Sequence, residues 1–162
     1  LNPTFKADGR VTASNSSGMN AASSGVLLME EELAKSLGLP VLARVVATAT
    51  TGVSPDLMGI GPISATQKTL EKAGLTVADI DLFEINEAVA AQCVACQREL
   101  GIDEDKLNVN GGGISLGHPV GATGSRLVVT LLHELKRRGG RYGLATLCAG
   151  GGMGTAVLIE MA

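Results

Sequence analysis

The alternation of apolar and polar positions divides most of the chain into segments that predict strands alternating with helices. Apolar segments with the composition of strands lie at residues 41–49, 80–85, 107–109, 141–147 and 153–159. Segments with helical spacing and helix-end signals lie at residues 64–74, 87–100 and 126–138. This order indicates a mainly parallel sheet covered on both faces, with a final antiparallel hairpin. We therefore predict an α/β fold with a mixed, mostly parallel five-stranded sheet.

The first forty residues follow a different pattern. Residues 1–24 are polar and rich in turn-forming residues, so we predict a loop that rests on structure outside this chain. Residues 26–29 then predict a short buried strand. Residues 30–38 predict a helix with acidic residues in its first turn.

Composition and charge narrow the classes of function. A chain of 162 residues with 45% hydrophobic residues can bury a full core. A formal charge of −3, scattered basic residues and 2% aromatic residues argue against a nucleic-acid partner. No apolar run reaches the ~20 residues that span a bilayer, so no membrane partner is expected. Three cysteines favour a reducing compartment over a disulfide framework; we predict the cytoplasm, with any organelle-targeting peptide lying upstream.

Glycine is concentrated in one stretch, residues 110–125, which holds six glycines and one of the two histidines of the chain, His118. Glycine lets the backbone approach another group closely or adopt positive φ. The long helix that follows, with Pro119 tolerated at its start, places His118 near a helix N-terminus. The positive end of the helix dipole disfavours imidazolium, so we predict a neutral His118 that accepts a proton near pH 7.

Three predicted strands end in polar or glycine-rich corners that carry Asn86, His118 and Cys148. Ligands of open α/β sheets gather beyond the carboxyl ends of strands, so these corners are expected to share one pocket. There, His118 and Cys148 would form a base and nucleophile or an acid/base pair. Asn86 would donate a hydrogen bond to a developing oxyanion or hold a water that does so.

Each of these residues also has a structural interpretation. A loop histidine often serves only as a hydrogen-bonding residue, and Met58 suits a gap in a core as well as a pocket wall. Cys93 and Cys96 have the spacing of a redox pair or half a zinc site but lie inside a predicted helix, which favours core packing. No metal site is predicted, and the glycine stretch lacks the common phosphate-binding patterns.

Several motifs together resemble the thiolases, a family that includes acetyl-CoA acetyltransferases and 3-ketoacyl-CoA thiolases. The motifs are Asp8-Gly9-x-Val11-Thr12-Ala13, Asn15-Ser16-Ser17-Gly18, Asn86-Glu87-Ala88, Gly117-His118-Pro119-Val120-Gly121-Ala122-Thr123-Gly124 and Cys148-Ala149-Gly150-Gly151-Gly152-Met153-Gly154. They occur in the order and spacing of that family across nearly the whole chain.

The resemblance implies a five-layered fold made of two similar halves, of which this chain matches the later part. Residues 1–40 would be the end of the CoA-binding loop region plus the last strand and helix of the N-terminal half. Residues 41–162 would be the C-terminal domain. The acylated cysteine of the family lies in the N-terminal half and has no counterpart here, so the chain alone is expected to be inactive.

The resemblance also assigns roles in Claisen condensation or thiolysis of 3-oxoacyl-CoA. His118 would activate the absent cysteine and bind the thioester oxygen, with a water held by Asn86. Cys148 would exchange a proton with the α-carbon of the second acyl-CoA, and the Gly150 N–H would complete a second oxyanion hole. Two residues would bind substrate: Ser17 would contact CoA and Met58 would line the acyl pocket.

The implied partners are acyl-CoA and CoA as substrates rather than cofactors, the N-terminal thiolase half, and further copies in a homo-oligomer. Two other functions remain open. One is a non-catalytic thiolase-like module for acyl-CoA binding or assembly. The other is a 3-oxoacyl carrier-protein synthase, which would need a second catalytic histidine where this chain has Cys148; His133, inside a helix, does not fill that place.

Overall fold

The computed structural model describes residues 1–162 and has a four-stranded sheet with helices on both faces, so the predicted α/β class is confirmed. The strands are β1 (Ala43–Gly52), β2 (Leu82–Ile85), β3 (Tyr142–Ala149) and β4 (Met153–Met161). The helices are α1 (Glu31–Ser36), α2 (Gly61–Ala73), α3 (Ala90–Leu100) and α4 (Thr123–Arg138). None of these helices is long and apolar enough to cross a membrane.

The sheet has the order β1-β4-β3-β2, and the predicted hairpin of β3 and β4 forms its centre. Two neighbouring pairs are antiparallel and only β2 with β3 is parallel, so the prediction of five mostly parallel strands is wrong. The predicted strand at residues 107–109 is reduced to one parallel bridge between Phe83 and Leu107. Asn108 has φ +46°, a left-handed conformation that ends extended pairing after one residue.

The predicted strand at residues 26–29 is also absent. A strand needs a neighbour for its backbone hydrogen bonds, and no strand of this chain lies beside this segment. Leu27 and Leu28 are consequently 79% and 72% exposed. The helix that follows, α1, is present as predicted but buries only Ala34.

The strands send alternate side chains into two cores, as the pleat of a sheet requires. On one face, Phe83 and Ile85 of β2 pack with residues of α2 and α3 such as Leu70 and Cys96. On the other face, the second core includes a leucine stripe of α4 together with Leu82 and Ala145. The stripe consists of Leu127, Leu131 and Leu135, at the i, i+4 spacing that keeps side chains on one helix face. The sheet therefore lies between two helical layers, with α2 and α3 on one face and α4 on the other.

The start of α2 lies directly against the start of β4. A Cβ atom added at Gly154 would lie only 2.0 Å from the carbonyl oxygen of Gly61, and one added at Gly61 would lie 2.6 Å from that of Met153. Both obstacles are backbone atoms, which do not rotate away as a side chain would. This contact connects the loop that carries Met58 to the hairpin that carries Cys148.

We expect Gly154→Ala to lower the free energy of unfolding by about 3 kcal/mol, the upper end of the usual cost of overpacking. The matched control is Gly25→Ala, because a Cβ atom there meets no other atom within 4 Å. Urea denaturation monitored by circular dichroism compares the two. Equal stability of both variants would show that the two backbones do not meet as described.

Candidate active site

The carboxyl ends of β2 and β3 bring two of the predicted site residues to one edge of the sheet. Ile85 lies opposite Thr146 in the parallel register, and the Asn86 N–H donates to the Thr146 carbonyl over 3.0 Å. Cys148 follows Thr146 by two residues on the neighbouring strand. Asn86 and Cys148 therefore occupy adjacent positions at the edge where ligands of such sheets bind.

His118 reaches the same edge from the glycine stretch. Its Nε2 lies 3.3 Å from Nδ2 of Asn86, which is 1% exposed, whereas His118 is half-buried. The structure thus brings His118 and Asn86 into direct contact. Cys148 stands at the same edge, but no hydrogen bond joins it to either residue.

The glycines of this stretch differ in what surrounds them. Cβ atoms added at Gly112 and Gly113 would lie 2.5 Å from Glu87 side-chain atoms and 2.8 Å from the Glu87 carbonyl oxygen. The Glu87 carboxylate accepts a hydrogen bond from the Ile114 N–H over 3.1 Å. These two glycines therefore let the stretch pack on the Asn86 corner, whereas Cβ atoms added at Gly121 and Gly124 meet nothing within 4 Å.

The His118 ring is held on its second nitrogen by the first residue of α4. Nδ1 lies 2.7 Å from Oγ1 of Thr123, and that hydroxyl donates to the Pro119 carbonyl over 2.9 Å. Since α4 begins at Thr123, His118 precedes the helix by five residues, and Pro119 starts a turn rather than the helix itself. Thr123 is fully buried, so this hydrogen-bond chain is shielded from solvent.

The pKa of the His118 imidazole lies below its ordinary value of 6.5. Burial is the larger cause and the nearby positive charge of Arg126 is the second. The direction is the one expected from the sequence, although the leading cause is desolvation and not the helix terminus. Neutral His118 is consequently the favoured form near pH 7.

The polar segment before residue 25 is hydrogen-bonded to the corner that carries Asn86 and to the corner that carries His118. The Asn20 side-chain oxygen accepts a hydrogen bond from the His118 N–H over 3.0 Å. Both the N–H and the hydroxyl of Ser17 donate to the Ala88 carbonyl, over 3.0 and 3.1 Å. This segment has little regular structure, as predicted, but it rests on the site corners of its own chain rather than only on structure elsewhere.

A cavity of about 350 Å³ opens between this segment and the turn after His118. It is lined by residues 20–24 on one side and 119–122 on the other. The two sides are joined by a hydrogen bond in which the Ser24 hydroxyl donates to the Ala122 carbonyl over 2.8 Å. Neither His118, Asn86 nor Cys148 lines this cavity, so it adjoins the histidine loop without containing the reactive groups.

Cys148 and Gly150 occupy the end of the β3–β4 hairpin. Cys148 is 8% exposed, and burial raises the pKa of its thiol, which keeps it protonated at neutral pH. Gly150 is exposed, has an ordinary φ, and an added Cβ atom would meet nothing within 4 Å. The fold itself does not require glycine at this position.

Met58, Cys93 and Cys96 lie on the α2 and α3 side of the sheet. Met58 is half-buried in a short 3₁₀ segment, Pro55–Ile60. Cys93 and Cys96 are buried free thiols, and burial raises their pKa values to about 12 and about 11. Their predicted role in core packing is confirmed. No group of three or more His, Cys, Asp or Glu side chains is placed to hold a metal ion.

A buried ion pair connects β2 to α4 close to the site, and the sequence did not indicate this pairing. Glu84 on β2 is 2% exposed, and its carboxylate lies 3.2 Å from Nη1 of Arg126 on α4. Burial raises the pKa of Glu84 to about 7 even though Arg126 opposes the shift. The sequence signal was a carboxylate inside an apolar strand, which needs a partner when buried. The partner itself, 42 positions along the chain, carried no such signal.

The raised pKa of the buried Glu84 carboxyl predicts an unusual dependence of stability on pH. Glu84 titrates near 4.5 when unfolded and near 7 when folded, so its stabilising contribution is complete below pH 4.5 and is lost as the pH rises to about 7. That loss amounts to about 3 kcal/mol. Because the lowered pKa of His118 acts in the opposite sense, the quantity to measure is the difference from a variant. We expect Glu84→Gln to remove this slope in urea denaturation at pH 4.5 to 7.5, whereas Glu71→Gln, at an exposed position, keeps it.

Known proteins match most of this chain in sequence. A family model described as "Thiolase, C-terminal domain" matches residues 39–161. The chain is 58% identical over 160 residues to the acetyl-CoA acetyltransferase of Chromobacterium violaceum and 54% identical over 160 residues to that of Escherichia coli. In each case 99% of this chain is matched, but only 41% of the relative, so the chain spans about two-fifths of the length of these proteins.

Solved structures agree in fold as well as in sequence. The crystal structure of the Bacillus anthracis acetyl-CoA acetyltransferase superimposes with a TM-score of 0.98 at 54% identity. Human mitochondrial 3-ketoacyl-CoA thiolase in complex with CoA superimposes with a TM-score of 0.92 at 45% identity. Both matches cover 100% of this chain and 41% of the other chain. With the family match over residues 39–161, this chain belongs to the thiolase family and corresponds to the C-terminal part of its members.

Proposed function

We propose that this chain supplies the proton-transfer and oxyanion-binding groups of a thiolase active site whose acylated cysteine lies in an N-terminal half. The reaction is Claisen condensation or thiolysis of 3-oxoacyl-CoA, and the substrates are CoA thioesters and CoA. The observation that carries the proposal is the contact between His118 and Asn86 at the sheet edge that also holds Cys148.

His118 acts in the first half of this reaction. Its neutral Nε2 accepts the proton of the cysteine thiol, and the resulting thiolate attacks the thioester carbonyl. The acyl group moves to the cysteine as the C–S bond to CoA breaks, and Nε2 returns the proton to the departing CoA sulfur. The oxyanion of the intermediate is stabilised by the newly formed Nε2–H and by a water that hydrogen-bonds to Asn86. The lowered pKa of His118 supports this role, because only the neutral ring is a base.

Cys148 acts in the second half. As a thiolate it removes a proton from the α-carbon of the second acyl-CoA, and as a thiol it returns one in thiolysis. The raised pKa of Cys148 makes the thiol the resting form, which suits the thiolysis direction. The Gly150 N–H would bind the thioester oxygen of the second substrate. The open space at Gly150 supports this, since the fold gives no reason for the missing side chain.

Two further residues would contact the substrate. Ser17 would contact CoA from the segment that is fastened to Ala88, and Met58 would line the acyl pocket from the segment that adjoins α2. The CoA complex of the human thiolase relative supports a CoA site in proteins of this fold. Because the Ser17 hydroxyl donates to Ala88 in the free chain, its contact with CoA would use the oxygen as an acceptor or exchange that hydrogen bond.

The N-terminal half is the proposed partner of residues 1–40, whose apolar side chains have little to pack on within this chain. Residues 1–40 would end the CoA-binding loop region and complete the N-terminal half, and residues 41–162 would form the C-terminal domain. The exposed apolar side chains in and beside α1 that support this are Leu27, Leu28, Leu33, Leu37 and Leu42. A homo-oligomer is proposed as well, and the three free cysteines support a cytoplasmic location.

A chimera tests the proposed function. Residues 1–162 replace the matching 41% of the Chromobacterium violaceum acetyl-CoA acetyltransferase, with which they share 58% identity. We expect the chimera to cleave acetoacetyl-CoA with CoA at a rate within about tenfold of the parent enzyme, whereas the 162-residue chain alone does not. A folded chimera that binds CoA in calorimetry but has no thiolysis activity would support the non-catalytic module instead.

A further inference from the structure

Thr123 is fully buried and contacts the ring nitrogen of His118 that does not face Asn86. Its Oγ1 lies 2.7 Å from His118 Nδ1 and 2.9 Å from the Pro119 carbonyl oxygen, four residues back along the chain. A hydroxyl carries one proton and two acceptor lone pairs. A threonine in a helix can give that proton to the carbonyl four residues before it.

The direction of the proton chain follows from these two contacts. Once the hydroxyl proton is given to Pro119, which can only accept, Oγ1 can only accept from His118. Nδ1 must then carry the hydrogen, and Nε2 keeps a lone pair. The contact on the other side of the ring agrees with this arrangement, because Nδ2 of Asn86 is a donor and lies 3.3 Å from Nε2.

We infer that Thr123 is a positioning residue that holds His118 in the Nδ1–H tautomer, so that Nε2, the ring nitrogen that faces Asn86, carries the lone pair that the proposed base needs. The inference rests on the proposed function for its catalytic consequence but not for the tautomer itself. It explains how a half-buried ring on a glycine-rich loop keeps one orientation: Asn20 fastens the backbone N–H of His118, and Thr123 fastens the ring. During catalysis the proton enters and leaves at Nε2, while Nδ1 stays protonated.

The tautomer can be measured directly in the 162-residue chain by long-range ¹H–¹⁵N correlation at neutral pH. The chain has only two histidines, so His133→Gln assigns the signals. We expect a protonated Nδ1 and an unprotonated Nε2 for His118 in the wild type and in Thr123→Ser, which keeps the hydroxyl. Thr123→Val keeps the shape but leaves Nδ1–H without an acceptor, so its ring should shift to the Nε2–H tautomer.

The kinetic arm uses the chimera. Thr123→Val should lower kcat about 10- to 100-fold with KM within about twofold of wild type, and Thr123→Ser should restore most of kcat. A wild-type His118 in the Nε2–H tautomer would overturn the inference even if Thr123→Val failed to fold. So would a Thr123→Val chimera with unchanged kcat. An inactive wild-type chimera with the Nδ1–H tautomer intact would instead refute the proposed function and leave the assignment of the tautomer standing.

Discussion

In the chimera, His118→Ala is expected to lower kcat for acetoacetyl-CoA thiolysis at least about 10³-fold. Removing the ring deletes both the base that deprotonates the nucleophilic thiol and one donor of the oxyanion hole, and each such group is worth roughly 10² to 10⁴ in rate. The measurement is steady-state thiolysis followed by the loss of the 3-oxoacyl thioester. Acyl transfer from acetyl-CoA to the enzyme should be lost as well, because His118 deprotonates the nucleophilic cysteine in the first half-reaction.

His133→Ala is the matched control for this prediction. It removes the only other histidine of the chain, which is exposed on α4. We expect this variant to keep the wild-type rate. A His118→Ala chimera that retained near-full activity would remove His118 from the mechanism, whatever its contact with Asn86.

Cys148→Ala is expected to separate the two halves of the reaction. Thiolysis and condensation should fall about 10³- to 10⁴-fold, because proton exchange at the α-carbon loses its acid and base. Exchange of labelled CoA into acetyl-CoA requires only acyl transfer to the nucleophilic cysteine, so it should fall by no more than about tenfold. The same variant therefore gives a large loss in one assay and a small loss in the other.

Cys96→Ala serves as the control, since it removes another buried thiol that lies in the core rather than at the sheet edge. It should leave both assays unchanged in kcat. Equal losses of thiolysis and CoA exchange in Cys148→Ala would contradict the assignment of Cys148 to the second half-reaction.

The helices and the hairpin were predictable because they depend on local patterns. The leucine stripe of α4 and the Cys93, Cys96 and Leu100 stripe of α3 repeat at helical spacing, and they are buried as that spacing requires. Whether neighbouring strands run parallel or antiparallel was harder to predict. The alternation of strands and helices favoured parallel neighbours, but β4 entered the centre of the sheet and made two of the three pairs antiparallel.

The missing strands have separate physical causes. The strand predicted at residues 107–109 ends at Asn108, which adopts a left-handed conformation. Asparagine tolerates this conformation, but the pattern of apolar and polar residues does not indicate it. The segment at residues 26–29 has the apolar composition of a strand, but a strand also needs a neighbour that this chain does not place beside it. Local composition predicts the capacity to pair and not the presence of a partner.

The site was predictable in outline because strand ends and glycine clusters mark the corners of an α/β sheet. The contacts that hold those corners were not, since they join residues distant in sequence. Asn20 and His118 are 98 positions apart, and Glu84 and Arg126 are 42 apart. Thr123 is only five positions from His118, but its role depends on where α4 begins, and helix boundaries are the least certain part of a sequence pattern.

Mass spectrometry after incubation with acetyl-CoA shows which cysteine carries the acetyl group. We expect no acetylated cysteine in the 162-residue chain, because its three thiols are buried with raised pKa values. In the chimera we expect acetylation of a cysteine in the N-terminal half, and loss of that adduct in His118→Ala. Acetylation of Cys93, Cys96 or Cys148 in the chain alone, accompanied by thiolysis, would contradict the proposed function.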